Sequence, residues 1–162
     1  MTSTRAMITA AIGAAAVAGT AIAVATAGDA SAGTPSTGTF TVRAHQSGDT
    51  HLDLGKKGFS PGDEDLSVAA LTYQGKSVGR LVTDCTAVRV GRSSADQLCE
   101  FVLHLGSSQL TADGTVRAGQ NGPGTFTLPI LGGTGRYRSV GGVLSVTATN
   151  SGTVPITVSL DH

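Results

Sequence analysis

The stretch LPILGGTGRYRSVGGVLSV, residues 128–146, decides how this chain is read. It sets Gly132, Gly133 and Gly135 around Thr134, runs on through Arg136, Tyr137 and Arg138, and reaches Gly141 and Gly142. Such a run either cradles a phosphate or makes a tight connection. A dinucleotide fingerprint needs G-x-G-x-x-G between a strand and a helix, with an acidic residue roughly twenty positions on. Here the spacing differs, and VLSVTATNSG, which follows, reads as strand. A P-loop needs Lys and then Ser or Thr after its last glycine, where this chain has Arg136 and Tyr137. The run therefore reads as a connection whose glycines supply positive φ, with Tyr137 plugging one end of the strand assembly.

Working outward, the chain reads as strands punctuated by glycine turns, with no helical period. Residues 40–45 alternate Phe40, Val42 and Ala44 with Thr41, Arg43 and His45, and HLDLG carries a second short strand. Further strands are expected over 66–73, 78–90 and 98–105. Residues 108–111 and 115–118 flank Asp113-Gly114, the strongest short hairpin signal in the chain. Strands over 126–131, 144–149 and 154–160 finish it, the last two joined through Asn150-Ser151-Gly152. About eight short strands in sequential hairpins favour a sandwich or a closed barrel over any parallel sheet. Closure also removes exposed strand edges.

The chain has 162 residues and opens as a secretory leader does. Arg5 is followed by an alanine-rich apolar run and then Ala30-Ser31-Ala32, a small-residue cleavage pattern. A membrane anchor is the rival, since about 20 apolar residues span a bilayer, but alanine, glycine and threonine make this run weakly apolar. The domain reading is a signal peptide over 1–32, a flexible lead-in over 33–38 and a β domain over 39–162, exported and extracellular, with no stable membrane span once the leader is removed. Eleven basic and 11 acidic residues cancel, and only 14% of the chain is charged. That balance offers no basic surface for nucleic acid.

An exported chain with two cysteines, Cys85 and Cys99, reads as disulfide-bonded. A metal or nucleophile pair is the alternative, but His45, His51, His104 and His162 form no cluster with them, so no metal site is expected. If the cysteines bond, alternation puts Leu81, Thr83 and Ala87 on one face with Phe101, Leu103 and Leu105. That face is apolar, whereas Asp84, Thr86, Glu100 and His104 lie on the other.

ILGGTGRYRSVGGVLSV resembles the G-G-[TS]-G-x-[FY] turn of dirigent proteins and allene oxide cyclases. DLGKKGFSPGDEDLSVAALTYQGKSVGRLVTDCTAV is similar to them too, with a G-D entry, a strand and a V-G pair opening the next strand. The resemblance covers about residues 39–160. It implies an all-β, eight-stranded antiparallel barrel with an apolar lumen, often trimeric, that holds a reactive small molecule while it cyclises or couples. It implies no cofactor for that step. Holding reacting ends in one geometry supplies entropy and stereochemistry, and polar groups in the lumen supply local electrostatic help.

Carried over residue by residue, the match is partial. Cys85 falls at the cyclases' pocket cysteine, Ala69 where they carry a pocket asparagine, and Gly141 where dirigent proteins commonly place an arginine. No acid or base is assigned. The lumen candidates are Tyr73, Leu81, Thr83, Phe101, Leu103, Tyr137 and Arg138. Asp53 and Asp63 read as turn-closing acceptors, and His45 as a solvent-facing residue. Three functions fit: a barrel that binds an apolar small molecule and guides its cyclisation or coupling, in the manner of a cofactor-independent cyclase or isomerase; a non-catalytic extracellular binding or structural barrel; and an inhibitor or adhesion module using loops such as GKKGFSPGDED. A homo-oligomer, dimer or trimer, is compatible with each.

Overall fold

The computed structural model describes residues 33–35, 37–120, 122, 124–148 and 152–161. The expected leader, 1–32, lies outside them. Eight strands follow in chain order: β1 Gly38–Leu52, β2 Glu64–Tyr73, β3 Lys76–Val90, β4 Ser94–Leu105, β5 Ser108–Gly119, β6 Thr125–Gly133, β7 Gly142–Thr147 and β8 Thr153–Leu160. Each pairs antiparallel with the next, and β8 closes on β1 from Gly38↔Leu160 to His45↔Thr153. The fold is an eight-stranded antiparallel β-barrel.

Two expectations about strand boundaries are corrected. HLDLG does not begin a new strand: its first residues complete β1, which bends at a bulge around Ser47 where Gln46 pairs with Ala69 and Gly48 with Val68. Nor is Asp113-Gly114 a hairpin. β4 offers one unbroken ladder from Leu105↔Ser108 to Ser94↔Gly119, and β5 follows it throughout. Gly114 instead uses φ 153° where a Cβ would press on the Leu128 side chain of β6. Continuous pairing with one partner outweighs the local turn preference of an Asp-Gly pair.

The glycine run connects β6 to β7 through a single 3-10 turn, Gly135–Tyr137. A Cβ at Gly133 would fall on the carbonyl oxygen of Gln109, and Gly135 sits at φ 59° against the Ser108 hydroxyl. The Thr134 N–H donates to the Gln109 carbonyl at 2.9 Å, and the Thr134 hydroxyl accepts from the Gln109 N–H at 3.1 Å. Tyr137 is fully buried, and its hydroxyl meets the Thr34 hydroxyl at 2.8 Å and donates to the Pro35 carbonyl at 3.2 Å. Arg136 donates to the Thr34 carbonyl at 3.1 Å. The segment ahead of β1 is thus tied to this turn, with Thr34 itself buried.

Cys85 and Cys99 are directly opposed on β3 and β4 and form a disulfide. They share an inward face with Leu81, Thr83, Ala87, Phe101, Leu103 and Leu105, all buried. Asp84 and Glu100 point outward and are exposed. Replacing both cysteines with alanine is expected to cost about 3 kcal/mol for a loop of roughly this size in the chain-entropy treatment. The measurement is the urea midpoint of the oxidised protein and of the double variant; equal midpoints contradict it.

Candidate functional site

Inward-facing side chains change size along the barrel. On β1 they run Phe40, Val42, Ala44, Gln46; on β2, Leu71, Ala69, Ser67; on β3, Leu81, Thr83, Cys85, Ala87. The end bearing the 3-10 turn is packed solid by Leu71, Leu103, Leu105, Leu110, Leu144 and Tyr137. Toward the other end the small residues of β1–β3 face Phe101, Phe126, Val146 and Ile156, and the gap between them is a cavity of about 200 Å³. Its walls are mostly apolar, with Gln46, Ser67 and Thr83 as polar groups. Phe101 and Phe126 lie 5.9 Å apart in a tilted pair and line one side. β5 and β6 pair in a ladder only through Leu110–Ala112, and beyond it Gly114 packs against Leu128 and Pro129 of β6.

Of the lumen candidates, Leu81, Thr83 and Phe101 line this cavity. Leu103 lies in the solid half, fully buried. Tyr73 packs edge-on against Phe40 at 6.0 Å, at the turn into β3, and so belongs to the packed end. Tyr137 is there too, and Arg138 beside it is exposed. Gly141 stands at that same end, its carbonyl accepting from the Asp161 N–H at 3.0 Å. Arg43 and His45 face outward, with His45 between the Thr72 and Thr153 hydroxyls at 3.2 and 3.3 Å.

At the mouth lies a group that reading the sequence did not single out. The bulge at Ser47 reverses the alternation of β1, so His51 comes opposite Asp65, and Asp65 opposite the inward Cys85. His51 Nδ1 meets Asp65 Oδ1 at 2.7 Å. The other carboxylate oxygen, Oδ2, accepts from the Gln97 amide at 3.0 Å. Gln97 reaches from β4 to β2 across β3, which is possible because its own neighbour on β3 is Ala87. The Phe59 ring, from the connection between β1 and β2, lies 6.1 Å from the imidazole. The Asp65 hydrogen bond raises the His51 pKa above its ordinary value, against partial desolvation and together with the charges of Asp65, Asp63 and Asp53.

Asp63 holds that connection in place. It is fully buried and accepts from the Ser60 N–H at 2.7 Å, the Leu54 N–H at 3.0 Å and the Ser60 hydroxyl at 3.3 Å. Its carbonyl accepts from the Ala87 N–H at 2.8 Å, fixing the loop to β3 two residues before Asp65. Burial alone would raise its pKa, but the donors from Ser60, Leu54 and Gly55 outweigh it and hold the carboxyl below the ordinary range. Asp53 likewise accepts from the Gly58 N–H at 3.0 Å. Both act as turn acceptors. Among the described residues no group of three or more His, Cys, Asp or Glu side chains is arranged to hold a metal.

No family model matches the chain, and no curated protein matches it. Solved structures do. A pyocyanin demethylase superposes with a TM-score of 0.67 at 27% identity, covering 76% of this chain and 99% of that one. A pterocarpan synthase dirigent protein gives 0.57 at 17% identity, covering 76% and 92%. The Diels-Alderase AbmU from Streptomyces koyangensis gives 0.60 at 19%, covering 76% of this chain and 64% of its own. This chain therefore spans less than two thirds of that last protein. The chain has the dirigent/allene-oxide-cyclase-like barrel fold. For the dirigent protein and the Diels-Alderase, identity this low makes the likeness one of fold.

Two titrations follow for this dirigent-like barrel. An NMR titration should place the His51 pKa above about 6.5, and Asp65→Asn should lower it; a value unchanged by that substitution contradicts the pairing. Because folded His51 holds its proton more tightly, its contribution to stability is full below the unfolded value and lost as pH rises through the folded one. Asp63 has the opposite sign: its contribution is present above the unfolded carboxyl value and lost as pH falls through the lower, folded one. Asp63→Asn should therefore lower the melting temperature at neutral pH and flatten its fall in acid, as followed by circular dichroism.

Proposed function

We propose that this chain is an exported barrel that takes the apolar body of a small molecule into its lumen and guides its cyclisation or coupling. The observation that carries this reading is the cavity left where Ala44, Ala69 and Thr83 face Phe101 and Phe126. A volume of about 200 Å³ is below the range of roughly 300–1,000 Å³ typical of drug-sized ligands. It is above the roughly 150 Å³ that accepts benzene in an engineered apolar cavity. A body of one or two rings fits, with its polar end left at the mouth. Gln46, Ser67 and Thr83 supply hydrogen-bonding groups that orient such a body, and fixed orientation lowers the entropy cost of joining two of its parts.

Solved barrels of the same fold include a Diels-Alderase and a pterocarpan synthase dirigent protein, whose names describe ring-forming and synthetic steps. Export is supported by the leader-like sequence and by the disulfide, a bond that persists in oxidising compartments. No helix among the described residues is long and apolar enough to cross a membrane. The outer face carries Val68, Val82 and Val102 in register on β2, β3 and β4, a stripe that a homo-oligomer would cover. The second reading, a binding barrel without catalysis, draws on the solid half of the lumen, which leaves room for a small guest only.

The test is binding of 1-naphthol, followed by its own fluorescence. Ala69→Phe places a ring in space that is empty, so the variant should keep its melting temperature. Its affinity for the probe should fall at least tenfold, about 1.4 kcal/mol. A wild-type protein that does not bind, or a variant that binds equally well, contradicts the lumen as the site.

A further inference from the structure

The mouth group lies on the same inward face as the cavity. Asp65 and Ser67 are alternate residues of β2, and Ser67 lines the cavity while Asp65 carries His51. Two residues along a strand span about 7 Å, so the backbone position that carries Asp65 is one inward step beyond the cavity wall. The carboxylate engages Nδ1, which fixes the tautomer with the proton on Nδ1 and the lone pair on Nε2. Among the described residues Nε2 takes no hydrogen bond, and the side chain is 44% exposed. Gln97 holds the second oxygen of Asp65 at 3.0 Å and so favours this orientation of the carboxylate.

We propose that His51 is a general base for a weakly acidic hydroxyl on the small molecule whose apolar body occupies the lumen, with Asp65 and Gln97 as its positioning residues. The inference rests on the lumen reading above and adds the chemistry at its mouth. The substrate class is a phenol or similar acidic alcohol. In the step, the O–H bond breaks, a bond forms between the proton and Nε2, and the oxygen keeps the electron pair. The imidazolium can give the same proton back, so the transfer is reversible and needs no oxidant or reductant.

The geometry suits this role on two counts. An imidazolium formed at Nε2 is stabilised by the carboxylate already bonded to Nδ1, as in a His–Asp pair that orients and supports a base. The charges that favour a proton on His51 are carboxylates: Asp65 on β2, and Asp53 and Asp63 on the connection from β1, which also carries Lys56 and Lys57. The phenolate left behind lies beside that imidazolium, and an opposite charge within about 4–6 Å lowers an acid's pKa by roughly 1–3 units.

The experiment uses 4-nitrophenol, whose phenolate absorbs visible light and whose phenol does not. Equilibrium dialysis reports whether it binds, and its absorbance reports whether the bound molecule is ionised. With wild-type protein the bound probe should ionise about one pH unit or more below the free probe. His51→Gln should still bind the neutral phenol, in acid, within about twofold, yet ionise it at the pH of the free probe. Asp65→Asn should give an intermediate shift, which a residue of merely structural importance would not produce. Binding with the same ionisation in wild type and His51→Gln overturns the base while leaving the lumen reading intact. Absence of binding to the wild type overturns both.

Discussion

A closed barrel must fill its lumen with whatever its strands point inward, and here the filling shrinks from one end to the other. Phe40 gives way to Val42, Ala44 and Gln46 on β1, and Leu71 to Ala69 and Ser67 on β2. At the wide-residue end the leucines of β2, β4, β5 and β7 interlock, and burial of their apolar surface supplies the bulk of the driving force for folding. At the other end the same strand spacing is kept but the side chains no longer meet. Backbone pairing on both sides holds β2, β3 and β4 apart, so the wall there cannot collapse as a loose core would. The cavity is therefore a consequence of the ladder and the taper together.

Other features serve to keep the thinly packed end in shape. The disulfide joins β3 to β4 one step beyond the cavity, beside Asp65. Asp63 brings the connection between β1 and β2 back onto β3. At the opposite end, Tyr137 and the glycine turn bind the segment ahead of β1, so the barrel is anchored where it is already solid. The polar group at the mouth, His51 with Asp65 and Gln97, is set on this frame and not on a free loop: its three residues come from β1, β2 and β4.

Much of the architecture was legible in the sequence, because alternation and glycine turns are local signals. The inward face of β3 and β4 followed from the two cysteines alone, and Leu81, Thr83 and Phe101 do line the cavity. What local signals could not give was pairing at a distance. Asp113-Gly114 has the chemistry of a hairpin, and only the unbroken edge of β4 shows why it is not one. The inward place of His51 is hidden for a related reason: one extra residue at Ser47 moves it to the other face. Its sign in the sequence was the break in the alternation of β1 at QSGDT, which reads equally well as the end of a strand. Ala69 reads first as a missing polar group, yet its small size is what opens the lumen. Gly141, where dirigent proteins commonly place an arginine, lies at the packed end and not at the cavity.

The taper leaves an apolar space between Ala44, Ala69, Thr83 and Phe101. A crystal of the protein held under xenon pressure tests it most directly, because xenon enters dry apolar cavities and scatters strongly. Xenon density is expected within the lumen, against Phe101 and Ala69, and none in the half packed by Leu103 and Leu110. A lumen free of xenon, with Phe101 or Leu81 swung across to fill the space, would contradict it.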